Sequence, residues 1–355
     1  MQQADLARKL EKGTVQCQAC QRHCVISDQQ LGFCLARQNV EGILYSLNHS
    51  QITGIQVDPI EKKPFYHFKP GSEVATIGSW GCNFRCKQCL NFAHSWGELA
   101  TEQLKDFAQG NLEKRRPESA VSPEEIAKTI ADAGYEGIAF SYNEPVIWAE
   151  FARDTAKAFK KLKPKAFAVF VTNGSWTKET IDTLAPYMAA ANIDIKGFCD
   201  ETYRKQEAYL GIIPEMAKYA QDKGIFLELT TLLIPGINDN PEEIRDLTKW
   251  IVKDLGPDTP WHLSQFDPKL APSPEFQKIP LTKNEELERA ANIGKEAGLH
   301  HIYIWAPTTN CAISDTICPN CHNTVINRSG WELQSIKIHS NHHCQFCNYK
   351  LNVVL

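Results

Sequence analysis

The chain has 355 residues, a formal net charge of −4 and 23% charged residues. Because single cores stop growing near about 250 to 300 residues, one large domain with small additions fits this length better than two equal halves. The net negative charge predicts no general attraction to nucleic acid. No apolar run reaches the roughly 18 residues of a membrane span, and residues 1–13 lack the apolar core of a signal peptide. We therefore expect a cytoplasmic protein without a membrane segment.

Thirteen cysteines form three groups and two isolated positions. In a reducing compartment, closely spaced cysteines indicate metal binding or redox chemistry rather than disulfides. The groups suggest an N-terminal Cys-rich module (1–70), a central domain (71–307) and a C-terminal module (308–355). The isolated Cys199 and Cys311 are expected to be inert thiols in a core or loop.

The first group, here called the N-terminal cysteine group, has a C-x2-C-x3-C-x9-C spacing. Its members are Cys17, Cys20, Cys24 and Cys34. This spacing and the neighbouring His23 would suit a zinc site. Four unliganded thiols are the alternative.

The second group, the cysteine triplet, consists of Cys82, Cys86 and Cys89 and follows the apolar run 74–80. Three thiolates in a C-x3-C-x2-C spacing can hold a [4Fe–4S] cluster and leave one iron without a protein ligand. That open iron is a site for chemistry. Structural zinc sites are closed by four ligands, so a zinc site is the weaker interpretation.

The central domain alternates short apolar runs with amphipathic helical patterns, which predicts β-α units and a parallel sheet. The predicted strands cover residues 74–79, 137–142, 166–172, 191–195, 225–231, 261–266 and 301–305. Helix starts are predicted by capping boxes at 122–125 and 282–285 and by Asn240 before Pro241. The charged stretch 98–118 is expected to be a solvated helix or loop.

An open doubly wound sheet would give the same alternation, so the periodicity within the strands is needed to choose. Polar residues alternate with apolar ones along several strands, and alternate side chains point to opposite faces. One polar face favours a barrel lined for a polar ligand. Reactive residues of β/α barrels lie at the C-terminal ends of strands, and the candidates there are the triplet, Asn143, Glu144, Asn173, Asp194, Lys196, His262 and Ser264. Ordinary turn chemistry is the alternative for each residue alone.

The third group, the C-terminal cysteine group, consists of two C-x2-C pairs separated by 22 residues. Its members are Cys318, Cys321, Cys344 and Cys347. Such pairs predict one tetrahedral four-cysteine site of the zinc-ribbon or rubredoxin type, and we favour zinc over iron. A segment of roughly 40 residues has too little core to fold alone, whereas a structural zinc contributes about 10 to 16 kcal/mol.

Segments in a fixed order carry a resemblance to a known family. They are residues 57–72, 81–86, 141–145, 171–174, 192–197, 234–239 and 261–268. Together they resemble the radical S-adenosylmethionine (SAM) enzymes of the AmmeMemoRadiSam system, which are related to the pyruvate formate-lyase activating enzymes. One departure is Gln88, where the family usually has an aromatic residue.

The resemblance implies a partial (β/α)6 barrel in the α/β class, flanked by the two Cys-rich modules. It also implies an oxidoreductase whose [4Fe–4S] cluster cleaves SAM reductively to abstract hydrogen from a substrate that the sequence does not identify. Glu144, in the second-strand motif with Asn143, would bind the SAM amino group. The remaining candidates would contact the SAM ribose or carboxylate (Asn173, Asp194 and Lys196) or the adenine, ribose or substrate (His262 and Ser264).

The resemblance further implies an external electron donor of the flavodoxin or ferredoxin type and a link to Memo-type and AMMECR-type proteins. It makes an auxiliary iron-sulfur cluster the alternative to zinc at the N-terminal cysteine group. A glycyl-radical-enzyme activase is the alternative function. A metal-stabilised nucleic-acid-binding module is disfavoured because residues 318–355 contain only Arg328, Lys337 and Lys350 as cations.

Overall fold

The computed structural model describes residues 2–97, 120–309 and 311–355, so the predicted helix or loop at 98–118 lies outside it. The chain forms two compact units. The first unit contains residues 1–57, 74–189 and 211–225, and the second contains 58–73, 190–210 and 226–355. These limits differ from the module boundaries inferred from the cysteines, which stay predictions.

Short antiparallel strands make up the N-terminal part of the first unit. They are β1 (Gln2–Gln3), β2 (Ala7–Lys9), β3 (Val15–Cys17), β4 (Val25–Ile26), β5 (Arg37–Val40) and β6 (Ile43–Ser46). β2, β3 and β4 form one sheet, and β1, β6 and β5 form another. These strands position the N-terminal cysteine group, because β3 ends at Cys17 and β5 begins three residues after Cys34.

Four longer strands form a sheet in the first unit. They are β7 (Gly54–Pro59), β8 (Glu73–Gly78), β9 (Gly137–Phe140) and β10 (Phe167–Thr172). β8, β9 and β10 are parallel, whereas β7 runs antiparallel to β8, because the N–H groups of residues 53 and 60 donate to the carbonyls of residues 78 and 72. β9 lies between β8 and β10, with Gly137 opposite both Val74 and Phe167. The apolar side chains of β8 and β9 are buried, which explains why these runs contain few polar residues.

The second unit has its own run of parallel strands. They are β11 (Ala190–Asp194), β12 (Phe226–Leu233), β13 (Trp261–Gln265) and β14 (Ile302–Ala306), followed by the antiparallel β15 (Cys311–Ile313). All seven predicted strands of the central domain are confirmed to within two residues at each end. The α/β class with a parallel sheet is therefore confirmed.

Eight helices lie in the described chain. They are α1 (Phe92–Ser95), α2 (Pro123–Asp132), α3 (Ala149–Leu162), α4 (Lys178–Leu184), α5 (Asp200–Lys205), α6 (Ile213–Asp222), α7 (Pro241–Trp250) and α8 (Asn284–Glu296). None of these helices combines the length and the apolar character that a membrane span needs.

The predicted helix starts are confirmed at two of three positions. Ser122 forms a capping box at α2, and Asn240 accepts backbone N–H groups at α7. The predicted box at 282–285 is wrong by one residue, since α8 is capped by Glu286 accepting the N–H of Lys283. The Thr282 hydroxyl instead donates to the Leu233 carbonyl, so a tertiary contact takes the side chain that the sequence suggested as a cap.

The C-terminal part of the second unit is an antiparallel sheet of β16 (Thr316–Ile317), β17 (Thr324–Ser329) and β18 (Glu332–Ile336). Its core cluster has seven buried members: Cys318, Val325, Ile326, Ile338, Cys344, Leu351 and Val353. Two of the seven are members of the C-terminal cysteine group. The core is therefore built around the cysteines.

Candidate active site and metal centres

The cysteine triplet lies on the loop that follows β8, as the sequence predicted. Cys86 is buried, while Cys82 and Cys89 are half-buried. The Phe84 N–H donates to Cys82 Sγ over 3.5 Å, and Cys89 Sγ lies 3.5 Å from the Ser95 hydroxyl. Burial raises the pKa of Cys82 well above its ordinary value, and the charges of Glu144, Cys86 and Cys89 add to the increase. The three thiols and Glu144 are therefore electrostatic neighbours.

The spacing of the triplet fits a cluster of several irons. Within the described residues, the C-terminal cysteine group is the one set of three or more candidate ligands whose donor atoms all lie within 4.8 Å of one another. At least two of the three triplet sulfur atoms therefore lie more than 4.8 Å apart. A polynuclear cluster needs that wider spacing, because each thiolate binds a different iron.

Glu144 is 2% exposed and lies at the start of the 3₁₀ turn Pro145–Trp148. Its Oε1 accepts the Thr172 hydroxyl at 2.6 Å and the Val146 N–H at 3.0 Å. Its Oε2 accepts the Asn173 N–H at 2.7 Å. The carboxylate therefore joins the loop after β9 to the C-terminal end of β10.

The backbone turns sharply just before Glu144. Tyr142 has a φ of +72°, in the left-handed region that non-glycine residues rarely adopt. Such a conformation costs on the order of 1 to 3 kcal/mol and persists where the surroundings enforce it. Here the turn directs Asn143 and Glu144 toward the end of β8. Asn143 accepts the Ser79 N–H at 3.1 Å and donates to the Gly81 carbonyl at 3.1 Å, so it fixes the entry to the triplet loop.

Asn173 completes this arrangement from β10. Its amide donates to Asn83 Oδ1 at 2.8 Å, and Asn83 in turn donates to the Ser175 hydroxyl at 2.5 Å. Asn83 lies inside the triplet loop, between its first two cysteines. The predicted residues Asn143, Glu144 and Asn173 are thus brought together with the triplet. Asn83, Thr172 and Ser175 were missed, although the position of Asn83 within the motif was a usable signal.

Asp194 and Lys196 lie together in the second unit, at the end of β11. Lys196 Nζ donates to Asp194 Oδ2 at 2.5 Å. Asp194 Oδ1 is buried and has no hydrogen-bond partner. An unsatisfied buried acceptor costs about 1 to 3 kcal/mol, which points to a missing donor such as a ligand hydroxyl. Asn238 and Gln206 both donate to the Lys196 carbonyl, at 3.0 and 2.6 Å, and so fix this strand end.

His262 is 4% exposed and lies in a buried polar network of the second unit. Its Nε2 is 2.7 Å from Glu228 Oε2, and its ring stacks on Tyr303. Glu228 also accepts three consecutive backbone N–H groups, those of residues 66–68. One nitrogen of His262 is therefore engaged by the protein itself. Ser264 is half-buried two residues further along β13, and the ligand roles of both residues stay predictions.

Comparison with known proteins places this geometry in a family. Residues 77–251 match the profile of the radical SAM superfamily. The chain is 33% identical over 356 residues to the uncharacterized protein MJ0808 of Methanocaldococcus jannaschii, with 100% of both chains covered. The chain belongs to the radical SAM superfamily.

Two further comparisons give weaker likenesses. A second M. jannaschii protein, with the provisional name glycyl-radical enzyme activating enzyme MJ1227, is 27% identical over 64% of this chain and 87% of its own. Among solved structures, a domain of pyruvate-formate lyase-activating enzyme from Bacteroides vulgatus is similar, with 18% identity, a TM-score of 0.40, and 48% of this chain and 98% of that chain covered.

Radical SAM enzymes use a [4Fe–4S] cluster and SAM, and the triplet lies within the matched residues. Its role as the ligand set of the cluster stays a prediction. The relation to glycyl-radical-enzyme activases is supported by these comparisons. The assignment to the AmmeMemoRadiSam system stays a prediction.

The C-terminal cysteine group has the geometry of a single-ion site. The Cys318 and Cys347 sulfur atoms are 3.6 Å apart, and those of Cys321 and Cys344 are 3.8 Å apart. A tetrahedron with metal–sulfur bonds of about 2.3 Å has edges of about 3.8 Å. Hydrogen bonds from Asn323 lower the pKa of Cys321, whereas burial raises the pKa values of Cys318 and Cys344.

The N-terminal cysteine group lines one narrow cavity of the first unit. Cys17, Cys20 and Cys34 are buried, and Cys24 is half-buried. Burial raises the pKa of Cys17 to about 12 and those of Cys20 and Cys34 to about 11. Buried thiols with raised pKa values are poor nucleophiles, so this group is not suited to thiol catalysis.

The two isolated cysteines have separate outcomes. Cys199 is exposed and caps the N-terminus of α5, where its sulfur accepts the Thr202 N–H at 3.5 Å. It is thus a loop thiol, as expected. The side chain of Cys311 lies outside the described part of the chain. No disulfide joins the twelve cysteines whose side chains are described.

Proposed function

We propose that this protein is a radical SAM oxidoreductase that binds a [4Fe–4S] cluster at Cys82, Cys86 and Cys89. Bound there with SAM, the cluster supplies the electron that cleaves SAM and generates the species that abstracts hydrogen from a substrate. The observation that carries the proposal is the triplet loop at the end of β8, which hydrogen bonds of Asn173 to Glu144 and to Asn83 connect to the Glu144 carboxylate.

The protein's own contribution is to bind and orient SAM. We assign Glu144, with Asn143 and Asn173 next to it, to the SAM amino group and the neighbouring polar atoms. Asp194 and Lys196 are proposed to bind the ribose or carboxylate, and the unpartnered Asp194 oxygen supports this assignment because a ribose hydroxyl would satisfy it. His262 and Ser264 are proposed to contact the adenine, the ribose or the substrate.

The C-terminal cysteine group is proposed to bind a structural zinc ion, supported by its sulfur spacing. For the N-terminal cysteine group, zinc and an auxiliary iron-sulfur cluster are the candidates. We also propose a flavodoxin-type or ferredoxin-type electron donor, and Memo-type and AMMECR-type proteins as functional partners.

The test is anaerobic reconstitution with iron and sulfide, followed by reduction in the presence of SAM. We expect 5′-deoxyadenosine in mass spectra of the wild type and none from Cys86→Ala. Cys199→Ser is the matched control, because it alters an exposed cysteine outside the triplet and keeps an oxygen at the helix cap. Equal yields from Cys86→Ala and the wild type would contradict the proposal.

A glycyl-radical-enzyme activase is the second candidate, and the provisional names of two relatives favour it. Such an enzyme would transfer the radical to a glycine of a protein substrate. Incubation of the reduced, SAM-loaded protein with glycyl-radical enzymes, followed by electron paramagnetic resonance (EPR), would reveal a glycine-centred radical. Turnover of SAM with a small molecule and no protein radical would decide for the first candidate.

A further inference from the structure

The cavity lined by the N-terminal cysteine group also contains cationic and amide side chains. Arg22, Arg37 and Asn83 line it together with all four cysteines. Arg37 is 1% exposed and forms a buried ion pair with Glu150, at 2.8 and 2.5 Å. A site of four thiolates is negative, and buried charge requires compensation. The Arg22 guanidinium adds a positive charge to this lining, whereas the charge of Arg37 is already paired with Glu150.

The spacing of these four cysteines differs from that of the C-terminal cysteine group. All four C-terminal sulfur atoms lie within 4.8 Å of one another, whereas no three sulfur atoms of the N-terminal cysteine group do, although every side chain concerned is described. A single tetrahedral ion requires edges of about 3.8 Å. The N-terminal cysteine group therefore lacks the compact spacing of the C-terminal cysteine group, which favours a cluster of several irons over one zinc ion.

The N-terminal cysteine group also lies directly against the triplet loop. The side chain of Asn83 hydrogen-bonds with Cys20, and its Oδ1 is 4.0 Å from Cys82 Sγ. A Cβ atom added at Gly81, where φ is +89°, would lie 2.7 Å from the Cys34 carbonyl oxygen. Only a glycine permits this close approach. A single residue, Asn83, thus contacts both cysteine sites.

Two arginines connect the loops of the N-terminal cysteine group to the triplet loop. Arg22 Nε donates to the Asn83 carbonyl at 2.6 Å, and Arg85 donates to the Phe33 carbonyl at 2.6 Å. Both guanidinium groups lie over the Phe33 ring, at 3.6 and 4.5 Å. The two loops are therefore held in one packed arrangement by contacts from both sides.

We propose that Cys17, Cys20, Cys24 and Cys34 bind a second, fully cysteine-ligated iron-sulfur cluster that transfers electrons to the cluster of the triplet. A low-potential one-electron donor reduces the second cluster by one electron. That electron then passes to the triplet cluster, so the second cluster returns to its oxidised state and no atom is gained or lost. Cys24 is half-buried whereas the other three cysteines are buried, so the proposal has the donor approach from the Cys24 side. The electron-transfer role rests on the proposed function, but the second cluster does not.

The decisive experiment uses a variant without the triplet, Cys82→Ala/Cys86→Ala/Cys89→Ala, which leaves the N-terminal cysteine group intact. After anaerobic reconstitution we expect this variant to retain iron together with an equal amount of sulfide, and to show an EPR signal on reduction that SAM does not alter. Sulfide distinguishes the cluster from an iron ion at the C-terminal cysteine group, because a mononuclear site contains none. Loss of all sulfide from this variant would overturn the proposal.

The complementary variant, Cys20→Ser/Cys34→Ser, should lose the iron and sulfide of the second cluster. After reduction it should keep the EPR signal of the triplet cluster, which changes on addition of SAM. Reduced wild type should give a spectrum that differs from the sum of the two variants, since two nearby paramagnetic clusters couple. Reduction of the triplet cluster by the same one-electron donor at equal rates in the wild type and in Cys20→Ser/Cys34→Ser would refute electron transfer between the sites. If the triplet-free variant binds zinc, and Cys20→Ser/Cys34→Ser loses that zinc, the N-terminal cysteine group is a zinc site and the proposal of a second cluster is wrong. If only the proposed function fails, the second cluster persists without any response to SAM.

Discussion

Replacement of Glu144 tests whether its carboxylate stabilises the fold, binds SAM, or does both. In Glu144→Ala the N–H groups of Val146 and Asn173 lose their acceptor inside the protein. Each buried, unsatisfied N–H costs about 1 to 3 kcal/mol, so the expected loss of unfolding free energy is about 2 to 6 kcal/mol. Because domains are stable by about 5 to 15 kcal/mol, this loss should be large enough to measure easily.

Glu144→Gln separates the two roles. One amide oxygen can still accept from Thr172 and Val146, but the amide NH₂ then faces the Asn173 N–H, so about 1 to 3 kcal/mol should be lost. The variant also lacks the charge proposed to bind the SAM amino group. Loss of a hydrogen bond to a charged group costs about 1.5 to 3 kcal/mol, which is roughly a 10-fold to 150-fold weaker affinity.

The assay is anaerobic urea unfolding of the iron-loaded protein together with equilibrium dialysis of SAM. We expect the order wild type, Glu144→Gln, Glu144→Ala in stability, with iron content unchanged in the folded protein. Glu136→Ala is the control, because Glu136 is an exposed carboxylate just before β9. An unfolding midpoint of Glu144→Ala equal to that of the wild type would refute the structural reasoning. Unchanged SAM affinity in Glu144→Gln would restrict Glu144 to a structural role.

Three further predictions concern other parts of the chain. Cys321→Ser, or a strong chelator, should make the C-terminal module susceptible to proteolysis from about Thr316 while the triplet keeps its iron. The reason is that a structural zinc contributes about as much free energy as the whole stability of a domain. A C-terminal module that still resists proteolysis would contradict this prediction. Arg37→Met should cost about 3 to 5 kcal/mol in urea unfolding by leaving Glu150 unpaired, and Arg37→Met/Glu150→Leu should recover part of the loss. Burial lowers the pKa of His301 from 6.5 to about 4. As the pH falls, the unfolded state therefore takes up a proton before the folded state does, and the free energy of unfolding should decrease by about 3 kcal/mol between pH 6.5 and 4. The decrease should be smaller in His301→Gln.

The sequence was most informative where local pattern decides structure. The strands of the central domain were predicted to within two residues, because short apolar runs bounded by turn residues form buried strands in an α/β protein. The caps at Ser122 and Asn240 were predicted for the same reason. Thr282 failed because its hydroxyl bonds to Leu233, 49 residues away in the sequence, and no local rule contains that contact.

Contacts between distant segments were the part that the sequence could not provide. Arg37 and Glu150 are separated by 113 residues, and each alone looks like a surface charge. Their burial as a pair depends on how the short N-terminal strands pack against α3. The six strands β1–β6 were likewise not predicted, since strands of two to four residues carry too little periodicity to be recognised.

The three cysteine groups show the same limit at the level of chemistry. Each group begins with thiols two or three residues apart, so each pattern alone admits zinc or iron. What separates them is how closely the sulfur atoms gather. In the C-terminal cysteine group all four lie within 4.8 Å of one another, and in neither of the other two groups do three sulfur atoms do so. Sequence spacing fixes only neighbouring ligands. The remaining distances depend on the fold, so the choice between a single ion and a cluster must come from the structure.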